Sequence, residues 1–224
     1  MQEIPVKVWD IPVRVFHWLL VAAMAFLVVS GKVGGNLMEY HVYAGYSVLA
    51  LVLFRVLWGF AGSTHARFAS FVAGPSRGIA YAKRLLSGAP AHSAGHNPLG
   101  GWMVIVLLLS LLLQGGTGLF SNDDIAFEGP LYPFISKSLS DRLTSLHHIN
   151  ANVLIALVAT HVAAVLFHVF VKKEDLVRAM FTGVKRLPAG TEGTQGLRTG
   201  SSWLALVIAI ACFGAVVLVV KRPF

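Results

Sequence analysis

The chain has 224 residues, 56% of them hydrophobic and only 12% charged, with a formal net charge of +8. Those proportions place it among proteins that cross a membrane several times, and its one cysteine, Cys212, excludes both an intramolecular disulfide and a thiolate metal cluster. The positive charge does not call for nucleic acid, because the basic residues sit between long apolar runs, as in the cytoplasmic loops of membrane proteins.

Five segments, at about 13–30, 40–60, 100–120, 146–171 and 203–220, approach the roughly 20 residues that a helix needs to cross the hydrocarbon core. The first is read as a retained span rather than a cleaved signal peptide. Charged residues precede it, it outruns the usual apolar core of such a peptide, and no small-x-small cleavage site follows. Lys7 and Arg14 lie at its start. Arg67, Arg77, Lys83 and Arg84 follow the second span, and Lys172, Lys173, Arg178, Lys185, Arg186 and Arg198 follow the fourth. This asymmetry predicts those regions, and the N-terminus, to be cytoplasmic. Lys32, Lys137, Arg142, Lys221 and Arg222 fall on the opposite side with Asp123, Asp124, Glu128 and Asp141; that side is the periplasm if the host is a Gram-negative bacterium.

The loop at 121–145, with Gly129, Pro130 and Pro133 among aromatics, is expected to form a structured outer cap. The organisation expected is a transmembrane domain at 1–182, a flexible cytoplasmic linker rich in Gly and Thr at 183–202, and a C-terminal transmembrane helix at 203–224.

The fourth span carries His147, His148, His161 and His168. Fourteen residues on a helix amount to a net rotation of about −40° and a rise of about 21 Å, so His147 and His161 share a face while His148 points away. Seven further residues bring His168 back to that face. His41 opens the second span at the depth of His147, and the two can face one another. His17 lies near the inner start of the first span, where it can meet His161 or His168. Four inward imidazoles at two depths suit the axial ligation of two flat iron macrocycles. A single histidine of this kind is as readily a hydrogen-bonding or proton-path residue, and the His147 to His161 separation is too long for one tetrahedral zinc.

The runs WDIPVRVFHW (9–18), HVYAGY with Arg55 and WGF (58–60), GHNPLGGW (95–102), QGGTGLF (114–120), LHHINANVL and THVAAVLFH, taken as an ordered set over about 8–180, resemble the bacterial cytochrome b561 family. That family includes the b-type cytochrome subunits of nickel-iron hydrogenases. The resemblance implies an all-α integral membrane four-helix di-haem bundle, here with a fifth C-terminal transmembrane helix, in a bacterial inner membrane. It implies two haem b groups, one between His17 and His161 on the cytoplasmic side and one between His41 and His147 on the outer side. Electrons would pass between the quinone pool and a redox partner such as a periplasmic c-type cytochrome or a dehydrogenase or hydrogenase subunit. An acidic outer loop would suit a basic partner. His168 becomes a second-tier candidate, near a propionate or solvent.

Several residues keep two readings. Arg14 and Arg55 can pair with haem propionates or anchor their helices by snorkelling. Gly45, one turn after His41, can admit a macrocycle or a neighbouring helix. His65, His92 and His96 are assigned to loops and span ends, with interface roles favoured over quinone binding. Gln114, Asn150 and Asn152 can bond quinone or another helix, and Trp18, Trp58 and Trp102 are read as membrane-belt residues. Two other functions compete with electron relay: a superoxide:quinone oxidoreductase built on the same haems, and a haem-free proton or ion transporter.

Overall fold

The computed structural model describes residues 3–87, 93–125, 127–191 and 193–221; His92 and Arg222, assigned above to a loop and a terminus, lie outside them. A short strand, β1 (Glu3–Lys7), leads to Asp10, whose Oδ1 accepts the Val13 amide at 2.8 Å and caps the first turn of α1 (Ile11–Val33). The helix stops at Gly34 and Gly35, with φ of 66° and 56°, a backbone conformation that glycine adopts without steric cost. A single 3-10 turn then feeds α2 (Met38–Ala61).

Two short helices follow, α3 (Phe68–Phe71) and α4 (Pro75–Leu86). Gly78 and Tyr81 of α4 are buried while Arg77, Lys83 and Arg84 are exposed, the one-sided pattern of a surface helix. A side chain at position 78 is excluded, since a Cβ there would come within 2.3 Å of the Trp102 ring. Asn97 caps α5 (Pro98–Gly118), its Oδ1 accepting the Gly100 amide at 2.7 Å. The chain continues through α6 (Lys137–Phe170), α7 (Leu176–Thr182), β2 (Val184–Pro188) and α8 (Ser202–Val220).

Among the described residues, α1, α2, α5, α6 and α8 are long and apolar enough to cross a membrane. Within hydrocarbon each backbone amide and carbonyl must be paired inside its own segment, which is why apolar runs of this length become helices.

The chain divides into two compact units. One comprises Met1–Val15, Val56–Val106 and Ala159–Leu206, and the other Phe16–Arg55, Leu107–Val158 and Val207–Phe224. In the first, β1 and β2 pair antiparallel, with Glu3 opposite Pro188 and Lys7 opposite Val184. The amides of Val8 and Trp9 extend that pairing to the Gly183 carbonyl, at 2.8 and 3.1 Å. Gly183 itself terminates α7 with φ of 81°.

In the second unit, the segment between α5 and α6 is tied down by Asn122, whose Nδ2 donates to Ser140 Oγ at 2.6 Å, and by the bridge between Asn122 and Glu128. Lys137 pairs with Asp124 at 2.7 Å and with Asp141 at 3.0 Å, so part of the acidic charge of this segment is answered within it.

Three local expectations change. The outer connection is shorter than 121–145, because α6 starts at Lys137, with the Ser136 hydroxyl accepting the Leu139 amide at 3.3 Å. The segment expected as a flexible linker opens with β2, which finds its partner nearly the whole chain away. Trp58 is not a membrane-belt residue: it is fully buried, and its indole N–H donates to Asp10 Oδ2 at 3.0 Å. An amphipathic indole reads the same in sequence whether its polar edge meets interfacial water or a carboxylate.

Candidate cofactor-binding site

Two of the four singled-out histidines are brought together within one unit. His41, in the first turn of α2, and His147, on α6, have ring centroids 6.5 Å apart with planes inclined at 71°. A metal ion shared by two imidazoles requires ring centres about 6 Å apart, from about 2 Å for each metal–nitrogen bond and about 1 Å from each nitrogen to its ring centre. The observed spacing fits one iron.

The bonds around each ring assign its protonation. His147 Nδ1 lies 3.0 Å from the Gln114 carbonyl, which can only accept, so Nδ1 carries the proton. Thr117 Oγ1 lies 3.3 Å from the same nitrogen. His41 Nδ1 lies 3.0 Å from Ser30 Oγ, and that hydroxyl spends its own proton on the Phe26 carbonyl at 2.8 Å, so His41 Nδ1 is again the donor. In both rings Nε2 is left with the lone pair that a metal needs. This arrangement, in which the far nitrogen is held by a helix neighbour, is the usual way a protein orients a ligating imidazole.

Small residues make room beside both rings. A Cβ at Gly31 would approach His41 Cε1 to 3.1 Å, and one at Gly118 would approach His147 Cε1 to 3.1 Å. A Cβ at Gly45 would meet no atom within 4 Å. Behind His147 the interior is polar and fully paired. Asn150 Nδ2 donates to Gln114 Oε1 at 2.7 Å and to the Ser110 carbonyl at 2.9 Å, while Ser110 Oγ donates to Asn150 Oδ1 at 2.8 Å. Gln114 and Asn150, left open between quinone and another helix, therefore bond each other across α5 and α6.

The remaining residues are placed as follows. His17 sits in α1, half-buried, edge-on to Trp18 with centroids 5.0 Å apart. His161 is half-buried on α6, and His148 is exposed. Arg55 is buried, 3% exposed, rather than snorkelling outward. The Arg14 guanidinium donates to the Phe181 carbonyl at the end of α7. His168 is buried, with Nδ1 3.6 Å from the Glu174 carboxylate, which Lys185 also reaches at 3.1 Å. His96 packs between Trp9 and Phe71, at 4.7 and 4.6 Å. Ser30 and Thr117 escaped notice in the sequence. Their only signal there is a hydroxyl within an apolar run.

His65 is buried, and burial holds its imidazole below the ordinary value of 6.5, with the Gly193 backbone offering a smaller opposing bond. The native ring thus resists protonation, whereas the unfolded one takes a proton near 6.5. The stabilisation this ring contributes is complete above that pH and is lost as pH falls toward the lowered native value. We expect thermal stability in detergent to decline below about pH 6.5 less steeply in His65→Gln than in the parent chain, when both are melted across a pH series. Parallel declines would show that His65 does not contribute.

A family model described as prokaryotic cytochrome b561 matches residues 8–183. The chain belongs to the prokaryotic cytochrome b561 family. Its curated relatives include proteins named as probable Ni/Fe-hydrogenase B-type cytochrome subunits. The one from Rhizobium leguminosarum bv. viciae is 24% identical over 211 residues, covering 80% of this chain and 87% of the relative. That from Azotobacter vinelandii is 28% identical over 218 residues, covering 81% and 89%. That from Cupriavidus necator is 25% identical over 213 residues, covering 80% and 86%. No solved structure matches the chain. The protein is a multi-pass membrane b-type cytochrome of electron transfer, and haem b follows from that class. As the family's helical architecture requires, the cytochrome is built from membrane-crossing helices, with the pair of facing histidines between two of them.

Proposed function

We propose that this cytochrome holds two haem b groups and relays electrons between membrane quinone and a hydrogenase-type dehydrogenase subunit or a periplasmic c-type cytochrome. The observation that carries the reading is the 6.5 Å separation of the His41 and His147 rings, each with Nδ1 already bonded within the protein. His41 and His147 would hold one haem and His17 and His161 the other. Haem b, when bound, supplies one-electron iron chemistry. The chain supplies the rest. Ser30 and the Gln114 carbonyl fix the two ring orientations, and Arg14 and Arg55 offer cations for propionates. The apolar spans keep bulk water away. The partner class is suggested by the names of the relatives. The excess of Lys and Arg in the segments before α1, between α2 and α5, and between α6 and α8 supports a cytoplasmic N-terminus in a bacterial inner membrane.

The test is a reduced-minus-oxidised spectrum with pyridine haemochrome quantification on the purified chain, followed by quinol addition in proteoliposomes. Two haem b per chain, reduced by quinol, are expected. A ratio of one, or haems that quinol leaves oxidised, would overturn the di-haem or the quinone part respectively.

A further inference from the structure

A second site lies apart from the histidine pair, within the unit that contains β1 and β2. A cavity of about 110 Å³ is lined by Lys7, Asp10, Ser63, His65, Arg198 and Thr199, among others. Its walls come from three places where a membrane helix meets its flanking segment: the start of α1 at Ile11, the segment just after α2 ends at Ala61, and the start of α8 at Ser202. The three ends belong to one face of the membrane, because α1 and α8 begin there and α2 ends there. The backbone is closed around it by a reciprocal pair. The Thr64 amide donates to the Arg198 carbonyl at 3.1 Å, and the Arg198 amide donates to Thr64 Oγ1 at 2.8 Å.

Two buried polar groups in this wall have no protein partner among the described residues. Ser63 is 7% exposed and its Oγ bonds nothing; His65 is 8% exposed and its Nε2 likewise bonds nothing. A buried hydroxyl or imidazole nitrogen left unpaired costs stability, so its retention calls for a ligand that pairs with it. The surrounding charge selects the sign of that ligand. Lys7 and Arg198 supply two cations, and the N-termini of α1 and α8 add the positive ends of two helices, of 23 and 19 residues. Among the described residues the single carboxylate in the wall is Asp10, whose Oδ1 accepts the Val13 amide and Oδ2 the Trp58 indole.

We propose that this cavity binds a phosphate group at the membrane surface. Lys7 and Arg198 neutralise its charge, and the Ser63 hydroxyl donates to one of its oxygens beside the His65 ring. The volume admits a tetrahedral oxyanion. Two sources offer that group, the headgroup of an anionic phospholipid and free phosphate.

The test uses the full-length, haem-loaded chain, delipidated in a neutral detergent and titrated separately with inorganic phosphate and with phosphatidylglycerol in mixed micelles, the readout being the shift in melting temperature. A saturable rise with either is expected. A rise with phosphatidylglycerol alone assigns a lipid headgroup, and a rise with phosphate as well assigns any accessible phosphate. Lys7→Gln with Arg198→Gln should weaken the effect about tenfold, through lost charge-assisted bonds. Ser63→Ala guards against misfolding. It removes only the unpaired hydroxyl, so it should leave the ligand-free melting temperature equal or raised while weakening the ligand-induced shift. No shift with either additive, or the same shift in parent and variants, overturns the proposal.

Discussion

Replacing His147 with alanine is expected to remove one of the two proposed haems from the purified cytochrome. The remaining one should keep its reduced b-type spectrum. The expectation rests on geometry: His147 faces His41 with centroids 6.5 Å apart, and its Nδ1 proton is held by the Gln114 carbonyl, so that the lone pair is on Nε2. A haem held by two imidazoles that lost one would keep a single protein bond beside the cavity of the missing ring. Adding free imidazole to His147→Ala during haem reconstitution should restore part of the lost haem, since the space vacated matches the ligand supplied. His148→Ala is the control. The neighbouring side chain is exposed and turned away, and its removal should leave the stoichiometry unchanged. Pyridine haemochrome per chain, measured on all three proteins, decides the matter. An unaltered ratio in His147→Ala would remove this residue from the ligand set. His17→Ala and His161→Ala, prepared in parallel, should each remove the second haem proposed above.

The Lys185→Met variant should be the most damaging change outside the proposed haem ligands, lowering stability by about 3–5 kcal/mol. Lys185 is buried on β2, and its ammonium donates to the Glu174 carboxylate at 3.1 Å and to the Ser93 carbonyl at 3.0 Å. Glu174 is itself largely enclosed, with His168 Nδ1 at 3.6 Å. Its charge is felt nearby: the Tyr81 phenol is pushed up chiefly by burial and further by this carboxylate. Methionine preserves the length of the lysine stem and removes only the charge and its donors, leaving a buried carboxylate without its cation. Removing both charges, with Lys185→Met and Glu174→Gln together, should cost much less than the first change alone, because no uncompensated ion remains. Thermal melts of the parent, both single variants and the double variant complete the cycle. Equal loss in the single and double variants would mean that the pair contributes through packing rather than charge.

The membrane-crossing helices were legible in the sequence because hydropathy is a local property. An apolar run of sufficient length must pair its backbone internally in hydrocarbon, whatever its neighbours are. The facing of His41 and His147 was legible for a related reason: two spans running in the same direction put residues near their starts at one depth. Helix ends were less so. The start of α6 at Lys137 is set by the Ser136 cap and by the Asn122 and Ser140 contacts that hold the outer segment, none of which hydropathy records.

The amino-acid sequence by itself determined that this chain spans a membrane, which residues occupy the spans, and which imidazoles lie within them. Tertiary structure alone decided what those residues touch. Ser30 reaches His41 across 11 positions, Gln114 reaches His147 across 33, and Trp58 reaches Asp10 across 48. The pairing of β1 with β2 joins Glu3–Lys7 to Val184–Pro188, far apart along the chain. Such contacts depend on how helices turn about their axes and where loops return. A serine that orients a ligand and one that merely bonds its own helix look identical until the chain has folded.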